Sequence, residues 1–144
     1  MTELLRRSVI KGATWRMVGT IDTILLSWLF TGRFHAAVKI GGIELITKIA
    51  LYYFHERLWL RIPYGRAAGE HADGTVRVRE NRRRNIAKGV SWRVLGTIDT
   101  MIIAFFITGS HVQAASIGIT EVFTKILLFY LHERAWNRIP HGRR

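Results

Sequence analysis

The chain repeats itself at a constant offset of 77 residues, and no other feature constrains its fold as strongly. Laid over one another without a gap, Ser8–Arg66 and Asn85–Arg143 are identical at 29 of 59 positions. The matches fall in blocks. KGATWRMVGTIDT at Lys11–Thr23 faces KGVSWRVLGTIDT at Lys88–Thr100, GGIELITKI at Gly41–Ile49 faces GITEVFTKI at Gly118–Ile126, and HERLWLRIPYGR at His55–Arg66 faces HERAWNRIPHGR at His132–Arg143. A duplication this close means that both units adopt one architecture. Between them, residues 67–84 (AAGEHADGTVRVRENRRR) are polar, contain glycine and end in three arginines, the pattern of an exposed linker.

Each unit holds two apolar segments long enough to span a bilayer as helices, since about 20 residues at 1.5 Å rise suffice. The spacing predicts helices over about 10–32 and 36–60 in the first unit (1–66), and about 87–109 and 113–137 in the second (85–144). The short pause at Thr31–His35 makes each pair a tight antiparallel hairpin. The second helix of each pair stops at Arg-Ile-Pro, because Pro63 and Pro140 lack an N–H and restrict the residue before them. A soluble bundle would show a charged face on every helix. Here Ile24–Phe30 and Met101–Ile107 are apolar nearly all round, although charges interrupt every helix. The expected fold is an all-α membrane protein with four transmembrane helices in two tandem hairpins. The first helix follows Arg6, Arg7 and Lys11 as a secretory signal would, but it recurs at Lys88–Thr108, where no signal acts.

Charge placement sets the expected orientation. The chain carries 22 Lys and Arg against 10 Asp and Glu, a net of +12. The basic residues gather at the termini and linker, while of the two turns only the first holds one, Arg33. By the positive-inside rule both termini and the linker are cytoplasmic and the protein is multi-pass. Trp15, Trp59, Trp92 and Trp136 fall at the cytoplasmic ends, where an interfacial aromatic belt belongs. Two spans per unit make the repeats parallel, related by a pseudo-twofold along the membrane normal.

The most informative chemistry is the set of charges within the helices: Asp22, Glu44 and Lys48, repeated as Asp99, Glu121 and Lys125. A charge at the bilayer centre costs about 2.5–3.5 kcal/mol on insertion scales, so such groups face inward and pair. Glu44 and Lys48 stand in the favourable i, i+4 order. The expected arrangement is an Asp22–Lys48–Glu44 cluster beside an Asp99–Lys125–Glu121 cluster, with one carboxylate per unit protonated unless Arg16 and Arg93 reach in. Gly41, Glu44, Lys48, Tyr52, His55 and Trp59 share one helix face; Gly12, Arg16, Gly19, Thr23 and Ser27 share another, with small residues that permit close approach. Two readings stay open: an ion or substrate path, or charges that only pin the helices in register.

Other signals are weaker. His55 and His132 recur at equal depth and are expected to make interface hydrogen bonds rather than hold a metal or haem. Arg57 and Arg134, with Arg16 and Arg93, are placed at the interface, binding anionic lipid headgroups on the cytoplasmic side. The same electrostatics accounts for linker residues Arg77, Arg79, Arg82, Arg83 and Arg84 without nucleic acid. With no cysteine, no metal motif and no nucleophile–base pair, no enzyme activity and no cofactor are expected.

The blocks W-R-x-x-G-T-I-D-T, E-x-x-T-K-I and H-E-R-x-W-x-R-I-P-x-G-R resemble the small bacterial membrane domain-of-unknown-function family 2061, over both units. The resemblance implies a bacterial inner-membrane location and nothing catalytic. The tandem layout is also similar in outline, without the sequence motifs, to the proteobacterial antimicrobial-compound efflux family. The functional expectation is a small transporter or channel-like protein using the paired carboxylate–lysine clusters. The alternative is a non-transporting structural or accessory subunit of a larger membrane complex. Homo-oligomerisation stays open under both.

Overall fold

The computed structural model describes residues 2–70, 74 and 76–139. In chain order it contains α1 (Thr2–Thr31), α2 (Phe34–Arg61), β1 (Arg66–Glu70), β2 (Val76–Glu80), α3 (Arg82–Thr108) and α4 (His111–Arg138). A 28-residue helix such as α2 is about 42 Å long. The turns of the two hairpins are built alike. Gly32 and Gly109 both take φ +67°, the left-handed conformation that glycine adopts without a Cβ penalty. Their N–H groups return to Trp28 O at 2.8 Å and Phe105 O at 2.7 Å, closing the last helical turn. At the far end α2 and α4 give way to extended backbone at Ile62 and Ile139. Pro63 follows the first as expected; Pro140 and the basic end at 141–144 lie outside the described residues.

The segment read as an exposed linker has a fold of its own. β1 and β2 pair antiparallel, with Arg66 opposite Glu80 and Glu70 opposite Val76. Val76 and Val78 alternate with Arg77 and Arg79, and the β-branched residues favour an extended chain. Asn81 then caps α3 by accepting from Arg84 N at 2.9 Å, and α3 starts well before the position that hydropathy indicated.

The four helices form a square in which each contacts two neighbours: α1 with α2, α2 with α3, α3 with α4, and α4 with α1. At the hairpin-turn end the centre is mostly apolar, made of Ala37, Ile40, Ile103, Ala104, Ala114 and Ile117, with Ser27 also fully buried. Gly41 and Gly118 let the helices of each hairpin touch. A Cβ on Gly41 would run into Ile24, and one on Gly118 into Met101. The outer surface is strongly apolar, with Leu29 75% and Phe106 80% exposed. A surface of that kind needs a nonaqueous covering.

The expectation of four transmembrane helices needs correction. Two helices, α3 and α4, are long and apolar enough to cross a membrane. In α2 the residues Lys39, Glu44, Lys48 and Glu56 put at least three charges into every 18-residue window. In α1 the charges Arg16 and Asp22 combine with Trp15, Trp28, Ser27 and the threonines Thr14, Thr20, Thr23 and Thr31 to lower its apolarity. The chain is thus a four-helix arrangement in which the α3–α4 hairpin supplies the candidate spans and the α1–α2 hairpin packs along it.

Candidate functional site

The helical charges come together at mid-bundle, below the apolar end. They pair across the repeats as well as within them. Lys48 on α2 binds Glu44 one turn earlier, at 2.5 Å, and reaches to α3, where Thr100 Oγ1 is 3.0 Å away and Asp99 3.7 Å. Lys125 on α4 pairs with Glu121 one turn earlier and reaches to α1, donating to Thr23 Oγ1 at 3.0 Å and Gly19 O at 3.1 Å. Asp22 accepts from Thr124 on α4 at 2.9 Å, and Asp99 from Thr47 on α2 at 2.8 Å. The expected grouping of Asp22 with Lys48 inside the first unit therefore gives way to an exchanged one. Each unit's aspartate accepts from the threonine of the other unit's TK pair, and Asp99 also lies 3.7 Å from the lysine of that pair. The reason is the packing order: α1 lies against α4, and α2 against α3.

The two half-sites meet at Glu44 and Glu121. Both are 5% exposed. Thr100 Oγ1 donates to Glu44 Oε1 and Thr23 Oγ1 to Glu121 Oε1, each at 3.2 Å. Lys125 also lies 4.0 Å from Glu44 Oε1, which ties the halves together. The hydroxyls of Thr23, Thr47, Thr100 and Thr124 complete the site, and charge alone did not point to all of them. A signal was present: in both units each aspartate precedes a threonine (Asp22-Thr23, Asp99-Thr100) and each lysine follows one (Thr47-Lys48, Thr124-Lys125).

Two cavities converge on this cluster, one per hairpin. The first, about 390 Å³, is bounded by Trp15, Arg16, Thr23, Glu44, Lys48 and Tyr52, with Trp92 and Lys125 from the other repeat. The second, about 240 Å³, is bounded by Trp92, Arg93, Thr100, Glu121, Lys125 and Phe129, with Trp15 and Lys48 crossing over. Both run from mid-bundle toward the basic end, since their α1 and α3 lining lies at or before Thr23 and Thr100. Arg16 and Arg93 are exposed residues of these walls.

The basic end is locked by a third set of exchanged contacts. His132 Nε2 meets Thr14 Oγ1 at 2.9 Å, and His55 Nε2 meets Ser91 Oγ at 2.8 Å. Trp136 and Trp59 donate their indole N–H to the same histidine nitrogens at 3.1 Å. Thus the histidines take a cross-repeat role, and among the described residues no group of three metal-binding side chains forms. Trp59 and Trp136, which the sequence places at the end where an interfacial aromatic belt belongs, are partly exposed and also serve these junctions. Lys11 pairs with Glu133 at 2.6 Å and Lys88 with Glu56 at 2.7 Å. Arg84, read as part of a solvated basic run, is fully buried. It donates to Trp59 O at 2.5 Å, Tyr64 O at 2.6 Å and Ile62 O at 2.7 Å, capping α2. Its repeat mate Arg7 donates to Trp136 O at 3.0 Å, near the end of α4. Arg57 and Arg134 stay exposed, Arg57 over the Tyr53 ring and Arg134 bonded to Tyr130 Oη at 3.0 Å.

Cross-repeat pairing, a buried charge cluster and an apolar exterior define a tandem-repeat membrane protein. The profile of the predicted membrane protein family DUF2061 matches residues 9–60 and again 86–137, so the chain belongs to that family and carries two copies of its domain. No curated protein and no solved structure matches it.

Proposed function

We propose that this protein is a small transporter or channel-like protein of the bacterial inner membrane, with the carboxylate–lysine cluster as its binding site. The observation that carries this reading is the convergence of two pseudo-symmetric cavities on Glu44, Glu121, Lys48 and Lys125. A cluster that only fixed helix register would be packed shut; this one borders open volume on both sides. The isoleucine and alanine layer above it forms the barrier that a carrier must rearrange. In this reading the basic end faces the cytoplasm, as its arginines and lysines favour, and exposed Arg57 and Arg134 contact anionic headgroups. No covalent chemistry, cofactor or nucleic acid takes part.

Protein reconstituted in liposomes should conduct ions or small polar solutes. The double variant Glu44→Gln with Glu121→Gln should reduce that flux to the level of empty liposomes. Equal flux from wild type and double variant would sink the proposal.

A further inference from the structure

Donor capacity at the cluster is used up before its acceptors are. An ammonium group has three N–H donors. Lys125 directs its donors to Glu121, Thr23 and Gly19 O, and Lys48 faces Glu44, Thr100 and Asp99. All of the contacts to the two glutamates fall on Oε1. Oε2 of Glu44 and Oε2 of Glu121 are buried and receive no hydrogen bond from a donor among the described residues. Lys125 Nζ pairs with Glu121 and lies 4.0 Å from Glu44 Oε1, so the two carboxyl groups flank one ammonium across the repeat boundary. Two carboxylates that share one ammonium, each with a buried oxygen that no donor reaches, repel, and the pair is stabilised when one proton joins them as O–H···O⁻.

Charge points the same way. The groups that face the pair are Asp22 and Thr23 from α1, Lys48 from α2, Asp99 and Thr100 from α3, and Lys125 from α4, with Arg16 and Arg93 farther out along the cavity walls. Four carboxylates against two ammonium groups leave two negative charges in a buried site, where an unpaired charge is costly, and one proton on the glutamate pair halves that excess. We infer that Glu44 and Glu121 hold a single exchangeable proton between the two repeats, so that the proton is the ion this site takes up and releases. Each glutamate borders its own cavity, and both cavities run toward the basic end, so the proton exchanges with water on that side through either carboxyl. No bond but O–H is made or broken, and water in the cavities is donor and acceptor. The inference names the ion for the transport reading and rests on that reading only for its role.

The test is infrared spectroscopy of the full chain in lipid nanodiscs, with hydrogen–deuterium exchange to mark the carbonyl stretch of a protonated carboxyl. Wild type should show one such carboxyl per chain around neutral pH. Glu44→Gln alone and Glu121→Gln alone should each abolish it completely, because the glutamine amide then donates to the remaining carboxylate. Absence of the band in wild type overturns the inference, and that measurement needs no variant to fold. Loss of only half the intensity in each variant, or a band that survives both, overturns it as well. A wild-type band with the expected losses but no liposome flux would defeat the transport reading and leave the proton site standing.

Discussion

Along α2 of the first repeat stand Lys39, Glu44, Lys48 and Glu56; along α4 of the second, the position matching Lys39 is Ser116, and two charges remain in the span. Ser27 and Trp28 of α1 likewise become Ala104 and Phe105 in α3. These few positions separate the hairpin that meets the demands of a membrane span from the one that does not. The shared positions behave differently. Asp22, Glu44, Thr47, Lys48, His55, Glu56 and Trp59 recur unchanged at Asp99, Glu121, Thr124, Lys125, His132, Glu133 and Trp136, and nearly all of them make contacts that cross between repeats. Identity between the units is thus concentrated in the interface that they build together, whereas divergence falls both on the surface, as at Lys39, and in the core, as at Ser27 and Ala104.

Four changes probe that contrast. The largest loss is expected from Lys48→Met, which removes the ammonium from Asp99 and leaves Glu44 only the longer contact to Lys125. Removing one partner of a buried ion pair costs about 3–5 kcal/mol, and Lys125→Met should cost the same. Thermal unfolding in detergent micelles measures both; if only one variant were destabilised, the two half-sites would not be equivalent. Next comes Arg84→Ala, which uncaps three carbonyls and should lower stability by about 3 kcal/mol. Arg7→Ala should cost clearly less, since Arg7 is only half-buried. Equal losses in urea titrations would mean that burial of the clamp does not matter.

Third, Gly41→Ala and Gly118→Ala should differ. Overpacking costs about 1–3 kcal/mol, and Gly41 faces a stiff β-branched Ile24 whereas Gly118 faces the adaptable Met101. Circular dichroism melts should rank Gly41→Ala as the worse. The smallest effect is expected from Lys39→Ser, which gives α2 the residue that α4 has at that position. A lysine near a helix end can snorkel, so the change should favour membrane partitioning of the first hairpin by less than about 1 kcal/mol. Carbonate extraction of a fragment containing α1 and α2 reads this; a decrease in the membrane fraction would contradict the comparison.

Much of this molecule was legible in its residues. The 77-residue offset dictated two like hairpins, the glycines after Thr31 and Thr108 ended the first helix of each, and the 1.5 Å rise per residue placed Asp22, Glu44 and Lys48 at one depth. Depth is a property of the chain alone. Partnership is not: it depends on which hairpin face meets which, and that is decided only when the four helices close their square. So the sequence could say that Asp22 needs a partner nearby, but only the packing of α1 on α4 made that partner Thr124 rather than Lys48. The same closure buried Arg84, turned the histidines inward and set Glu44 beside Glu121. The duplicated chain carries each half of the charge site in sequence, and the tertiary structure exchanges the halves.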